Sequence, residues 1–205
     1  YMKTGVIGLG LMGGAMALNL HKSGYLHRVW NRTTSKADEI AKLTGVTRSE
    51  SIEALARECD VIITCVSKDE DVLAVIHDIS TGIKAKTIVI DTSTVSSDTA
   101  KKAAEIIINK GGDFLDCPVT GGSEGAKNGT LSLMIGGNED VLEKARQVLA
   151  AIGKKIVYIG PTGSGQACKA VNQVICAGIN QAVTEGLSFG EGMGLNMDRV
   201  LEAIS

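Results

Sequence analysis

Thr4-Gly5-Val6-Ile7-Gly8-Leu9-Gly10-Leu11-Met12-Gly13 is the stretch that decides how this chain folds. An apolar run of strand length passes directly into G-x-G-x-x-G. A helical pattern from Met12 to Lys22 follows and closes at Ser23-Gly24. The glycine pattern alone is weak, but between a strand and a helix it has the context it requires. Gly8 permits a tight turn, Gly10 lets backbone approach a pyrophosphate, and Gly13 lets helix and strand pack closely. The N–H groups and positive dipole end of the helix would then face phosphate oxygens. Gly8, Leu9, Gly10, Leu11, Met12 and Gly13 are therefore expected to bind a dinucleotide.

Working outward, strand and helix patterns alternate. Strands are expected at His27–Trp30, Val61–Val66, Thr87–Ile90, Phe114–Cys117, Leu131–Ile135 and Lys155–Ile159. Helices are expected at Ser35–Leu43, Asp71–Ile79, Ser97–Lys110 and Glu139–Ala150. Alternation of this kind implies βαβ crossovers and a mostly parallel, doubly wound α/β sheet of Rossmann type. The nearly continuous apolar run at Val61–Val66 should be buried on both faces. This domain is expected to span residues 1–162.

Residues 163–205 read differently. From Gln166 to about Met193 there is no strand signal and no proline, and apolar and small residues occur nearly all round. A helix of ~28 residues would run ~42 Å and is too apolar to stand alone in water. Another helix begins near Asp198, and the sequence stops at Ser205. The expectation is a long interdomain helix followed by the start of an all-α domain, with further helical partners in the same chain or in trans. Association into a homo-oligomer through the long helix is expected. Tyr1 ahead of Met2 reads as a residue preceding the native start.

The composition limits the function classes. With 21 Lys and Arg against 23 Asp and Glu, the net charge of -2 gives no footprint for nucleic acid. No apolar stretch reaches the ~18 residues of a membrane span. The five cysteines are scattered without a C-x-x-C pair. They read as reduced thiols of a cytoplasmic-type compartment, neither a disulfide framework nor a metal site.

The end of the second strand bears on the choice of dinucleotide. NAD-binding chains usually carry Asp or Glu there to hold the ribose hydroxyls. This chain has Trp30-Asn31-Arg32-Thr33. Arg32 can pair with a 2′-phosphate and stack on adenine, and Asn31 and Thr33 offer neutral hydrogen bonds. NADP is favoured on this reasoning.

Three further segments point to a substrate. Asp91-Thr92-Ser93-Thr94-Val95 sits at the carboxyl end of a strand, where open α/β sheets bind ligands. Asp116-Cys117-Pro118-Val119-Thr120-Gly121-Gly122 follows the next strand and continues to Gly129-Thr130-Leu131. Its paired glycines expose backbone N–H groups suited to a carboxylate. Gly163-Ser164-Gly165-Gln166 leads into the long helix, where Lys169, Asn172, Gln173, Cys176 and Asn180 share one face. A polar stripe on an apolar helix is costly unless satisfied, by a ligand or by a neighbouring helix.

These four motifs occur in the order found in the beta-hydroxyacid dehydrogenases, and from Gly5 to its end the chain resembles that family. Its members include 3-hydroxyisobutyrate dehydrogenase, tartronate semialdehyde reductase and the glyoxylate/succinic semialdehyde reductases. The resemblance implies that Lys169 is the catalytic lysine with Asn172 beside it at the substrate. It implies that Thr120, Gly121 and Gly122 hold the substrate carboxylate, with Thr94 and Gln173 also on the substrate side. Val66, Ser67 and Thr94 are assigned to the cofactor. Thr120 stands where the family usually has Ser and keeps the hydroxyl. Asn172-Gln173 matches the tartronate semialdehyde reductase branch, whereas Asn31-Arg32-Thr33 resembles the NADPH-using glyoxylate reductases.

The reaction so implied is hydride transfer from NADPH to the carbonyl carbon of a small aldehyde acid, with Lys169 donating a proton to the carbonyl oxygen. Oxidation of a 3-hydroxy acid such as 3-hydroxyisobutyrate is an alternative, as is a non-catalytic NADP-binding module. Imine reductases of the same superfamily typically replace the lysine, so Lys169 counts against that reading.

Overall fold

The computed structural model describes residues 2–205. The chain divides into two compact units, one ending at Lys169 and the other running from Ala170 to Ser205. The division falls inside the long helix, later than the break expected at 162. The first turn of that helix is seated on the sheet by hydrogen bonds described below.

The first unit follows the alternation read from the sequence. It comprises β1 (Thr4–Ile7), α1 (Leu11–Lys22), β2 (Leu26–Trp30), α2 (Thr34–Thr44), β3 (Thr47–Arg48), α3 (Ile52–Glu58), β4 (Val61–Thr64), α4 (Asp69–Gly82), β5 (Ile88–Asp91) and α5 (Ser97–Ile108). It continues with β6 (Asp113–Asp116), β7 (Val119–Thr120), α6 (Gly122–Asn128), β8 (Leu131–Gly137), α7 (Glu139–Ala150), β9 (Gly153–Gly160) and the start of α8 (Ser164–Gly192). Four of these elements were not expected: β3, α3, β7 and α6. The strands are two residues each and the helices seven, too short to show a period. The Asp116–Leu131 segment is therefore not a plain loop, because β7 and α6 lie within it.

β3, β2, β1, β4, β5 and β6 lie side by side in that order and pair in parallel. β8 then runs antiparallel to both β6 and β7 and parallel to β9. The chain first builds outward from β1 to β3 and then returns to the other side of β1 with β4. That reversal opens a crevice beyond the carboxyl ends of the strands.

Strand residues alternate between two buried layers, as a side-chain period of two requires. Val6, Val61, Ile63, Ile88, Ile90 and Leu115 face the core shared with α1, α2 and α7. Ile7, Ile62, Val89 and Phe114 face the core shared with α3, α4 and α5. Apolar residues on both faces are what helices on both sides of a parallel sheet demand.

The second unit holds the remainder of α8 and α9 (Met197–Ile204). Between them Gly194 takes φ +73, Leu195 N–H donates to Gly190 O at 3.1 Å, and Asn196 caps α9 through Arg199 N–H at 3.2 Å. Val174, Ile179, Phe189 and Ile204 are exposed. No helix among the described residues is long and apolar enough to cross a membrane.

A charged tie joins α4 to α5. Asp69 Oδ2 accepts the Thr99 hydroxyl at 2.6 Å, the Ser96 hydroxyl at 2.7 Å and the Ser96 N–H at 3.0 Å. These bonds, the Thr99 hydroxyl foremost, hold its carboxyl down to about 2. Its folded pKa lies below the unfolded value of about 3.9, so its stabilisation is present above that value and fades as pH falls toward about 2. Asp69→Asn should therefore flatten the acid-side fall in the urea midpoint between about pH 5 and about pH 2.5. Equal slopes for variant and parent would show that the tie carries no pH-dependent stability.

Candidate active site

The turn after β1 is built as its glycines require. Gly8 takes φ +90, and a Cβ there would come within 2.2 Å of Cys65 O. A Cβ on Gly13 would lie 1.9 Å from Gly8 O, so only glycine allows α1 to start against the end of β1. Gly10 has ordinary φ and nothing within 4 Å of a Cβ position. It is the N-cap of α1 and offers no side chain to the first N–H groups of the helix. Uncapped N–H groups beside open space fit a pyrophosphate.

A cleft of about 350 Å³ opens beside this turn. Of the residues expected to bind cofactor, Gly8, Gly10, Asn31, Arg32, Thr33, Val66 and Ser67 line it. Leu9, Leu11, Met12, Gly13 and Thr94 do not, and Leu9 is buried in the core. Asn31 is committed to the protein: its Oδ1 accepts Leu9 N–H at 2.7 Å and its Nδ2 donates to Thr33 O at 2.9 Å. It joins the β1 and β2 turns and fixes the rim of the cleft.

Arg32 is largely exposed and stands 3.3 Å from Asp71 Oδ1 of α4. Asp71, Asp78 and Lys36 line the same cleft. The sequence shows no carboxylate at the end of β2, but the fold brings Asp71 to that place from α4. A 2′-phosphate would have to take Arg32 from Asp71, whereas a ribose hydroxyl would not.

The second cluster lies at the carboxyl ends of β5 and β6. Asp91 is fully buried. Its Oδ1 accepts the Ser93 hydroxyl at 2.6 Å, the Thr64 hydroxyl at 2.7 Å and the Ser93 N–H at 3.2 Å. Its Oδ2 has no hydrogen-bond partner among the described residues. Burial pushes its carboxyl above the ordinary range, and burial does the same to Asp116. Asp116 accepts Gly163 N–H at 2.7 Å and Gln166 N–H at 3.0 Å, so a carboxylate caps the start of α8. Gly165 makes this seat possible, since a Cβ there would lie 2.4 Å from Met134 O.

Gln166 adds a second attachment. Its Nε2 donates to Ser93 O at 2.8 Å and its Oε1 accepts Val95 N–H at 3.1 Å. Thr94, between those two residues, is exposed. One helical turn beyond Gln166 stands Lys169, which is 8% exposed and makes no ion pair among the described residues. Thr120 is half-buried at the end of β7. Gly121 (φ +129) and Gly122 (φ +62) are exposed where α6 begins. In the second unit, half-buried Asn172 donates to the side chain of Gln173 at 3.2 Å. The Cys65 and Cys117 thiols near Asp91 are pushed up by burial and are poor nucleophiles.

Residues 3–160 match the NAD binding domain of 6-phosphogluconate dehydrogenase. Residues 163–205 match the NAD-binding of NADP-dependent 3-hydroxyisobutyrate dehydrogenase. The chain belongs to the beta-hydroxyacid dehydrogenase family.

Relatives of this beta-hydroxyacid dehydrogenase include 2-hydroxy-3-oxopropionate reductase of Escherichia coli. It is 38% identical over 99% of this chain and 70% of its own length. Glyoxylate/succinic semialdehyde reductase 1 of Arabidopsis thaliana is 34% identical over 99% of this chain and 71% of its own. The structure of Mycobacterium tuberculosis 3-hydroxyisobutyrate dehydrogenase with L-serine superposes with a TM-score of 0.93 at 32% identity, covering 99% of this chain and 69% of that one. The protein is a nicotinamide-dependent oxidoreductase with a Rossmann domain.

The glycine turn gives two opposed expectations. Gly10→Ala meets no neighbour and should leave the urea midpoint nearly unchanged, within about 1 kcal/mol, while its methyl obstructs the phosphates and weakens dinucleotide binding about tenfold or more. Unchanged affinity in calorimetric titration would remove the pyrophosphate from Gly10.

Proposed function

We propose that this beta-hydroxyacid dehydrogenase reduces a small aldehyde acid to the hydroxy acid, using NADPH and Lys169. The observation that carries this reading is the placement of Lys169. It is nearly buried and free of ion pairs among the described residues, one turn beyond a helix start seated on the ends of β5 and β6. A lysine in that setting is available to a ligand rather than spent on a structural carboxylate.

Bound in the cleft, the reduced nicotinamide supplies a hydride. The Lys169 ammonium hydrogen-bonds the substrate carbonyl oxygen and gives it a proton as negative charge grows there. Asn172, three residues on along α8, orients the substrate, and Gln173 and Thr94 are assigned to the substrate as well. Thr120 and the backbone N–H groups of Gly121 and Gly122 take the substrate carboxylate. The names of the Escherichia coli and Arabidopsis relatives, both reductases, support the reductive direction and the aldehyde-acid class. Lys169→Ala should lower turnover by about a hundredfold or more while NADPH affinity stays within about threefold. A variant with near-parent turnover would end the assignment.

Arg32 supports NADP, and Asp71 sets the margin. A carboxylate 3.3 Å from the guanidinium competes with a 2′-phosphate for it. Parallel titrations with NADPH and NADH should show NADPH tighter, Arg32→Ala losing about tenfold for NADPH alone, and Asp71→Asn gaining about threefold to tenfold for NADPH alone. Equal affinity of the parent for both dinucleotides would make Arg32 a surface charge and favour an NAD-linked oxidation of a 3-hydroxy acid.

A further inference from the structure

Gln166 is only 2% exposed, yet three parts of the sheet edge converge on it. Its backbone N–H is held by Asp116 Oδ2 on β6 at 3.0 Å. Its side-chain amide grips Ser93 O at 2.8 Å and Val95 N–H at 3.1 Å, one bond on each side of Thr94. Those two backbone groups have left the ladder of β5, and the amide satisfies both. Ser93 in turn accepts Val66 N–H on its hydroxyl at 3.0 Å, and Val66 lines the dinucleotide cleft. A continuous set of hydrogen bonds thus runs from the cleft, through Ser93, to the helical turn that carries Lys169.

We propose that Gln166 is a positioning residue for the reaction: its side-chain amide locks the Thr94 segment and the Lys169 turn into one frame with the cofactor-side segment at Val66. The proposal rests on the reading of Lys169 as proton donor. The chemistry required at position 166 is narrow. One atom must accept from Val95 N–H and its neighbour must donate to Ser93 O, at the reach of a two-methylene arm. An ionised carboxylate can still accept from Val95 N–H but has no donor and sets an acceptor against the Ser93 carbonyl. A thioether of similar length has neither function. Asn is one methylene short. Displacement of a proton donor by about 1 Å lowers turnover about a hundredfold.

A protonated carboxyl is the isostere of the amide. Its O–H donates to Ser93 O and its carbonyl accepts from Val95 N–H. In Gln166→Glu the introduced carboxyl is buried, so it takes up its proton above the ordinary value of about 4.3. The titratable groups nearest to it in the hydrogen-bonded frame are Asp116 from β6 and Asp91 behind Ser93 on β5, with Lys169 one turn further along α8. The parent carries the same three groups, so the ratio of variant to parent turnover at each pH isolates position 166.

The test uses the full-length protein and whichever of glyoxylate, succinic semialdehyde and tartronate semialdehyde the parent reduces fastest. kcat and KM are measured from about pH 5.5 to about pH 8.5 for the parent, Gln166→Glu, Gln166→Met and Lys169→Ala, with NADPH affinity measured by calorimetry. The expected result is kcat lowered roughly thirtyfold to a hundredfold in both Gln166 variants at the alkaline end, with NADPH affinity within about threefold of the parent. The Gln166→Glu ratio should climb at least about tenfold toward the acid end, while the Gln166→Met ratio stays flat. Turnover of both Gln166 variants near the parent value, with Lys169→Ala inactive, would overturn the positioning role alone. Parallel, pH-flat losses in both variants, or loss of NADPH binding, would overturn it too and make Gln166 part of the general scaffold. An active Lys169→Ala would overturn the lysine reading and this proposal together.

Discussion

Two N–H groups at the start of α8 donate to one buried carboxylate, Asp116, and the arrangement of the site depends on that seat. A helix N-terminus presents unsatisfied donors and a positive dipole end, and a carboxylate at the end of a parallel strand answers both. Burial works against the charged form of Asp116 while the amide bonds favour it. The balance holds because the donors come from fixed backbone. Gly165 lets the helix approach this closely. Removal of the carboxylate would leave the helix start with unpaired donors over a dry sheet edge.

The same sheet edge treats two helix starts by different means. At β1 the protein leaves a helix start uncapped beside an open glycine, an arrangement that fits a phosphate. At β6 it fills the equivalent need with its own carboxylate and converts a helix start into a fixed mount. One helix end stays open, and the other is satisfied by the protein's own carboxylate. Asp91, in the core between them, has one oxygen without a hydrogen-bond partner among the described residues, and its raised pKa fits a group that burial drives toward the neutral form.

Much of this fold is written in the sequence at the level of period and punctuation. The helix from Glu139 to Ala150 and the strand from Thr4 to Ile7 have their expected bounds, because caps and apolar runs mark both clearly. β3, α3, β7 and α6 leave no such mark, since tertiary pairing and not local pattern makes elements of two to seven residues. The glycine turn and the lysine helix are equally legible as motifs. What the sequence conceals is contact between distant segments. Asp71 lies 39 positions from Arg32, and Gln166 lies 73 positions from Ser93. A strand-end Asp before a buried helix start is the nearest signal for Asp116. Its partner could be identified only when the crossover was known.

Hydride transfer from nicotinamide to a carbonyl carbon is the central claim, and isotope tracing tests it most directly. NADPH deuterated on one face of the nicotinamide C4 and, in a second run, on the other would be incubated with the full-length protein and glyoxylate, succinic semialdehyde or tartronate semialdehyde, and the product examined by mass spectrometry and NMR. The account predicts deuterium on the hydroxyl-bearing carbon of the product, delivered from one cofactor face only. Product lacking deuterium in both runs, or no consumption of NADPH with any of the three acids, would contradict it.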